Sequence, residues 1–450
     1  MSARRAPSLY ALTLACLVFP GVARATPEST LGIGSRALAL GGATSADSPD
    51  GSAPFYNPSG LVMAQRSELS LSYAATDFAL STNGAPAGVP ALHTLSGSLL
   101  GRGTVLGVPV AFGLALSLSN GHLSHTSTVT AAEPRWVLDD GLPELIELGT
   151  DVALRPLPWL ALGGGVGFLA ATQGGFDVRG TALLADGQGS EYDSQLQHSV
   201  NANLVSVRYP SLGVTVAPLE NWALALSYRG EARIDQRITG TLAGSISSGP
   251  LSLPVSYELE SESVIAFQPR ELVLGASFQL AHTHLNADLS WQEWSRYPSP
   301  VGRSGTQLTA TLPPGLDLVL PANTTLPAPS DPHFKNRVSP RLGIEHALPW
   351  TAHSALLLRA GYAFEASPLP AHQYQTHFVD TDRHVLSVGC GLALEKPSAL
   401  LPDGIRLDAH ALWARYAERR LDSDGGAQPS SFSAAGHAWS GGATLSLAFK

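Results

Sequence analysis

The chain has 450 residues, of which 14% are charged, and a formal net charge of -9. That balance excludes a nucleic-acid binder, which presents a basic face. Gly 45 and Pro 33 interrupt the chain too often for long helices, and no run of about 18 apolar residues occurs outside the N-terminus, so helical membrane spans are excluded too.

The first element is a targeting segment. Arg4 and Arg5 precede an apolar stretch from Leu9 to Val22, and Ala23-Arg24-Ala25 follows as a small-x-small cleavage site. Residues 1–25 therefore read as a secretory signal peptide, with Thr26 as the mature start. The residues after the paired arginines do not fit a twin-Arg signal, and Thr13-Leu14-Ala15-Cys16 is a poor lipoprotein box. One of the two cysteines leaves with the signal, so Cys390 has no intramolecular partner and no disulfide scaffold is expected.

Residues 26–66 do not alternate. Gly32, Gly34, Gly41, Gly42, Pro49, Gly51, Pro54, Pro58 and Gly60 predict a compact, turn-rich piece. From about residue 67 to 450 the chain alternates with period two, which predicts strands with one apolar and one small or polar face. Phe112, Leu114, Leu116 and Leu118 oppose Gly113, Ala115 and Ser117, and Ile146, Leu148, Val152 and Leu154 oppose Glu147, Gly149, Asp151 and Arg155. The run from Trp222 places Leu224, Leu226, Tyr228, Ala232 and Ile234 on one face, and Arg229, Arg233 and Asp235 on the other. Leu356 to Phe364 and Leu386 to Leu394 repeat the theme.

Short links near 155–158, 218–221, 281–283 and 349–351 alternate with long segments near 78–92, 120–144, 172–197, 236–262, 297–335, 366–382 and 418–436. Short turns on one side and long loops on the other are the asymmetry of an outer-membrane β-barrel. The links delimit about fourteen strands, an even number with both ends periplasmic. Trp222, Trp291, Trp294, Tyr297 and Trp413 fall at strand ends, where interfacial girdles sit. The terminal Leu445-Ser446-Leu447-Ala448-Phe449-Lys450 is a strand that must pair with the first one near Glu68–Ala75, since a free edge would aggregate. The fold class is thus an all-β transmembrane antiparallel barrel. A large soluble sandwich would need a second layer over each apolar face.

Two stretches carry a family resemblance. Gly34-Ser35-Arg36-Ala37-Leu38 with Gly41-Gly42-Ala43, then Phe55-Tyr56-Asn57-Pro58-Ser59-Gly60-Leu61, resembles the N-terminal plug of FadL/TodX-type outer-membrane transporters. Asp380-Thr381-Asp382-Arg383-His384, leading into Leu386-Ser387-Val388-Gly389, is similar to a second landmark of that family. Ser59 stands where the family usually has alanine. The resemblance implies a fourteen-stranded barrel with residues 26–66 as a plug in the lumen, around the motif Asn57, Pro58, Ser59 and Gly60. It implies passive carriage of long-chain fatty acids or other hydrophobic compounds, released by a plug movement through a lateral gap. No cofactor is expected, since movement down a gradient needs no nucleotide. The implied partners are the hydrophobic cargo, the bilayer with its lipopolysaccharide, and the barrel-assembly machinery, with the protein acting as a monomer in the Gram-negative outer membrane.

Candidate site residues follow from face parity. Arg229, Arg359 and Arg155 project inward, either to meet a cargo carboxylate bidentately or to close a lumen ion pair, the commoner use. The inward positions are otherwise often Gly, Ala and Ser, with few charge ladders. Leu316, Leu318 and Leu320 in the long 297–335 loop are candidate capture surface, with packing inside the loop cluster the commoner use of such residues. Pro109 and Gly113 mark a candidate irregular strand. Acidic Asp139, Asp140, Glu191 and Asp193 read as solvated loop charge rather than as ligands for divalent cations at the lipopolysaccharide surface.

Catalysis is not expected. Gly32-Ile33-Gly34-Ser35-Arg36-Ala37 matches a dinucleotide fingerprint but lacks a preceding strand. No metalloprotease or zinc spacing occurs among the 14 His, and no nucleophile elbow is present. The rival to a channel is a barrel with a structural or adhesive role exerted through its long loops, which would need no mobile plug. A lipase or protease barrel lacks any motif.

Overall fold

The computed structural model describes residues 32–119, 134–139, 146–183, 195–248, 251–299, 303–310, 323, 325, 331–373, 376–396, 403–424 and 430–449. Fourteen antiparallel strands close into one barrel. The first seven are β1 (Ser67–Thr82), β2 (Leu92–Val105), β3 (Val108–Ser119), β4 (Ile146–Leu157), β5 (Leu160–Leu183), β6 (Gln195–Leu219) and β7 (Trp222–Arg229). The second seven are β8 (Glu271–Leu280), β9 (Thr283–Gln292), β10 (Arg337–Thr351), β11 (Ser354–Glu365), β12 (Arg383–Glu395), β13 (Gly404–Ser423) and β14 (Ser430–Phe449). Closure comes from the terminal strand: β14 pairs with β1 continuously from Ser67↔Phe449 to Thr82↔Ala434. In hydrocarbon every backbone N–H and C=O must be satisfied internally, and a ring of ladders without an edge does so.

The two faces are inverted relative to a soluble protein. Leu71, Val152, Leu212, Leu274, Leu342 and Val388 stand outward, each more than half exposed, as a lipid-facing belt requires. Inward, Ser72, Thr76, Asp151, Asp288, Ser290, Arg359, Asp408, Ser440 and Thr444 are buried. The turns on one side are tight. β2 and β3 are joined by Leu106 and Gly107, both with positive φ (51° and 82°), the two-residue hairpin geometry that matches strand twist. Pro109 and Gly113 do not make β3 irregular: its ladders run unbroken from Thr94↔Ser119 to Val105↔Val108 and from Val110↔Leu154 to Leu118↔Ile146.

The long Trp222 strand is two strands. The chain breaks at Gly230 and Glu231, and its partner breaks at Pro269 and Arg270. Leu224 and Leu226 face out, but beyond the break Ala232 and Ile234 are buried and Arg233 and Asp235 are exposed. Alternation continues in the letters while the pleat turns over. Beyond the break, Ala232–Ser248 and Leu251–Gln268 form a hairpin above the barrel wall, where a loop was expected over 236–262. The hairpin pairs parallel with β5 at Gly240↔Phe176 to Ala243↔Arg179. The β6–β7 ladder therefore stops at Ser211↔Arg229, with one last bond from the Gly230 amide to the Pro210 carbonyl at 2.8 Å. Pro210 has no N–H to return. Above it the seam is filled by side chains, Leu169, Tyr209, Ala232, Ile234 and Ala266.

Over the lumen on the long-loop side lies a lid. Arg135–Trp136 pairs parallel with Phe378–Val379, and Trp136, Phe378 and Leu421 are fully buried there with Phe334 and Phe432. Trp294 and Tyr297 belong to this cluster, with Tyr297 stacked on Phe334 at 4.6 Å. They are not part of an outer girdle. Trp222 and Trp439 do stand outward.

Candidate functional site

The lumen holds residues 32–64. Helix α1 (Ser35–Ala39) ends where Gly41 and Gly42 adopt positive φ (64° and 76°). A side chain at Gly41 would meet the Tyr362 backbone nitrogen at 2.9 Å, so the chain can pass the wall only as glycine. A second turn, α2 (Ala53–Tyr56), leads into a 3-10 turn over Pro58–Met63.

Asn57 organises this piece and is fully buried. Its Nδ2 donates to the Ser45 carbonyl at 2.6 Å and to Thr215 Oγ1 of β6 at 3.1 Å. Its Oδ1 accepts from the Ser59 amide at 3.1 Å and the Ser59 hydroxyl at 2.8 Å, capping the 3-10 turn that Pro58 opens. The Ser59 hydroxyl also shares a hydrogen bond with Thr215 at 2.7 Å. Serine in place of the family's alanine thus ties the motif to the wall. Gly60 sits against Ser48, and the wall answers with its own glycines: Gly213 lies under Asn57 and Pro58, and Gly163 under Pro58 and Ser59.

Charge locks the same piece laterally. Arg36 pairs with Glu345 at 3.1 Å, Glu345 with Arg359 at 2.5 Å, and Arg359 with Asp408 at 2.6 Å. Asp408 pairs with Arg406 at 2.9 Å, Arg406 with Asp50 at 3.7 Å, and Asp50 with Arg36 at 3.8 Å. Six alternating charges thus close a ring, two from the lumen segment and four from β10, β11 and β13. A lumen with few charge ladders was expected; instead the charges are buried and paired. Arg359 points inward as expected, but both of its carboxylates are structural. Arg155 sits at the β4–β5 turn, where its Nε donates to the Pro158 carbonyl at 2.9 Å.

The lumen also holds a cavity of about 40 Å³. Leu38, Phe55, Val273, Val385, Leu412 and Ala438 give it apolar walls, and Arg229, Glu271, Arg341 and Glu365 a polar side. Arg229 donates to the Phe55 carbonyl at 3.0 Å, pairs with Glu271 at 3.3 Å and lies 4.2 Å over the Phe55 ring. Arg341 reaches Glu271 only at 3.7 Å. Phe55 and Arg229 also line a second cavity of about 20 Å³, bounded by Pro58, Glu147, Asp151 and Tyr209. Sequence reading gave no ion-pair role to Arg36, Glu271, Arg341, Glu345 or Arg406. The parity of β10 alone would have placed Glu345 inward, opposite to Leu342 and Ile344.

The lid closes over a buried carboxyl group. Asp139 is buried rather than solvated; its Oδ1 accepts from the Tyr416 hydroxyl at 3.0 Å and lies 3.5 Å from Arg383 Nη1. Burial pushes its carboxyl up to about 7, opposed by Arg383 and assisted by Asp380 and Glu365. The closed lid therefore holds a proton that the opened chain releases, so closure is strongest below the ordinary carboxylate pKa and weakens as pH rises through about 7. Hydrogen exchange corrected for intrinsic rates is expected to show less protection at Val137, whose amide bonds Val379, as pH goes from about 5 to about 8. Asp139→Asn is expected to remove that pH dependence. Asp140, Glu191, Asp193, Leu316, Leu318 and Leu320 lie outside the described residues.

A plugged, lidded transmembrane barrel with a largely apolar-walled cavity in its lumen is the architecture of an outer-membrane channel. The chain belongs to the outer membrane protein transport protein family (OMPP1/FadL/TodX), whose model matches residues 21–401. Solved structures share the fold at low identity. A Pseudomonas aeruginosa FadL homologue is 16% identical, with 92% of this chain and 97% of that one covered and a TM-score of 0.54. The CymD monoaromatic hydrocarbon channel is 14% identical over 94% and 99%, with a TM-score of 0.53. The P. putida toluene transporter TodX is 14% identical over 93% and 99%, with a TM-score of 0.51. No curated protein matches the chain. The family and fold place it in the Gram-negative outer membrane as a transporter of hydrophobic compounds.

Proposed function

We propose that the protein is a passive channel for fatty acids or aromatic hydrocarbons, gated by residues 32–64 and exported by cleavage after Ala25. The observation that carries this reading is the mostly apolar lining of the central cavity, shared between the lid cluster and the lumen segment. A hydrophilic porin keeps a polar, water-filled lumen instead. Cargo enters beneath the lid and settles against Leu38, Val385 and Leu412 as residues 32–64 shift to widen the cavity. Of the basic residues, Arg341 has the weaker protein pairing, so a polar cargo head faces Arg341 and Arg229, while Arg359 holds the ring. Phe55 stands between the two cavities, and its movement joins them. Leaving the second cavity, cargo meets the β6–β7 seam above Pro210, where side chains rather than backbone bonds close the wall.

Proteoliposomes holding the purified protein test this reading. Labelled palmitate and toluene are expected to equilibrate faster than in protein-free vesicles, while glucose is not. Glucose passing as readily as palmitate, or palmitate flux equal to the blank, would sink it.

A further inference from the structure

Outside the lumen, three basic side chains form a row on the lipid-facing wall. Register opposes His384 to Arg415 and Arg415 to His437, so the row crosses two strand spacings, about 10 Å. All three are exposed, and they share a face with Leu386 and Val388 on β12, Leu407 on β13, and Trp439 and Leu445 on β14. One pleat closer to the short-turn side, Trp413 and Trp439 oppose each other with rings 6.1 Å apart. Outward tryptophans at the edge of an apolar belt mark the headgroup level. β12 descends from the lid side, so this level is the extracellular one.

The row is built for an anion. The Tyr362 hydroxyl and His384 Nδ1 share a hydrogen bond at 2.9 Å, which fixes that ring. Arg415 and His437 make no ion pair among the described residues. Outward carboxylates nearby are Asp77, opposite Trp439, Asp382, two residues before His384 and accepting from the Ser367 amide at 2.8 Å, and Glu418, beyond Arg415; Arg420, farther out, faces Asp422 at 3.9 Å. Below the tryptophans Ala409, Ala411, Gly441 and Ala443 leave the wall low between Leu386 and Val388 on one side and Leu71 and Leu445 on the other. That is a track for acyl chains directly under a guanidinium that can grip phosphate bidentately.

We propose that this face of β12–β14 docks the phosphorylated, acylated sugar headgroup of lipopolysaccharide, its phosphate on His384, Arg415 and His437 and its chains along the alanine track. The proposal rests on the outer-membrane placement and not on the transport reading.

Native mass spectrometry of the whole protein in detergent tests it, with bisphosphorylated lipid A, dephosphorylated lipid A and phosphatidylglycerol as probes. Wild type is expected to bind bisphosphorylated lipid A about tenfold tighter than the other two. A His384→Gln/Arg415→Gln/His437→Gln variant is expected to lose that preference while its palmitate flux stays at the wild-type level. Arg415→Lys, which keeps the charge without the fork, is expected to fall between them and guards against a folding defect. Equal binding of the dephosphorylated lipid or of phosphatidylglycerol, or an unchanged preference in the triple variant, would overturn the proposal.

Discussion

Gly213→Val is expected to raise hydrophobic flux about tenfold, by forcing the lumen segment off the wall. A Cβ at Gly213 would overlap the Asn57 side-chain oxygen and come 3.0 Å from the Pro58 ring. Overpacking of this kind costs about 1–3 kcal/mol, and about 1.4 kcal/mol already shifts a closed-to-open ratio tenfold. Asn57 cannot yield locally, because its amide is held by Ser45, Ser59 and Thr215 at once. Initial palmitate uptake into proteoliposomes reads the effect. Flux at or below wild type, in a variant that still migrates as a folded barrel, would mean that this contact does not hold the gate.

Arg359→Met is expected to destabilise the protein by about 3 kcal/mol, because it strips one cation from two buried carboxylates. The Arg359 side chain is 0% exposed and bridges Glu345 and Asp408. Without it, those two acids share only Arg36 and Arg406 with Asp50. Urea unfolding followed by tryptophan fluorescence measures the loss. Arg359→Lys is expected to recover only part of it, since an ammonium cannot present two parallel N–H donors to two carboxylates. A midpoint unchanged in Arg359→Met would show that the ring contributes little to holding the lumen segment.

The barrel was legible because its cause is local. Period-two alternation, tight turns at 155–158, 218–221 and 281–283, and a terminal apolar strand each follow from neighbouring residues, and β14 pairs with β1 as that strand required. Face parity likewise put Arg229 and Arg359 inside. What it could not show were their partners: Arg359 meets an acid 49 residues away, and Arg36 one 309 residues away. The pleat reversal at Gly230 and Glu231 was hidden because the letters keep alternating across it. Its only marks are Gly230 and Pro269, whose segments become neighbours only after the hairpin pairs. Trp294 and Tyr297 were misread for a similar reason. They follow the end of β9, where a girdle would sit, but a 3-10 turn over Trp294–Arg296 bends them onto Phe334 under the lid. Asp139 looked like loop charge because nothing near it in sequence announces Tyr416 or Arg383.

Selectivity of flux tests the central claim most directly: the ratio of palmitate to glucose entry in proteoliposomes carrying the wild-type protein. A lumen filled by residues 32–64, with only small cavities between apolar walls and paired charges, predicts palmitate entry well above the protein-free rate and glucose entry at that rate. Glucose entry matching that of palmitate would contradict it, because it would require a continuous aqueous path past Asn57 and the ion-pair ring.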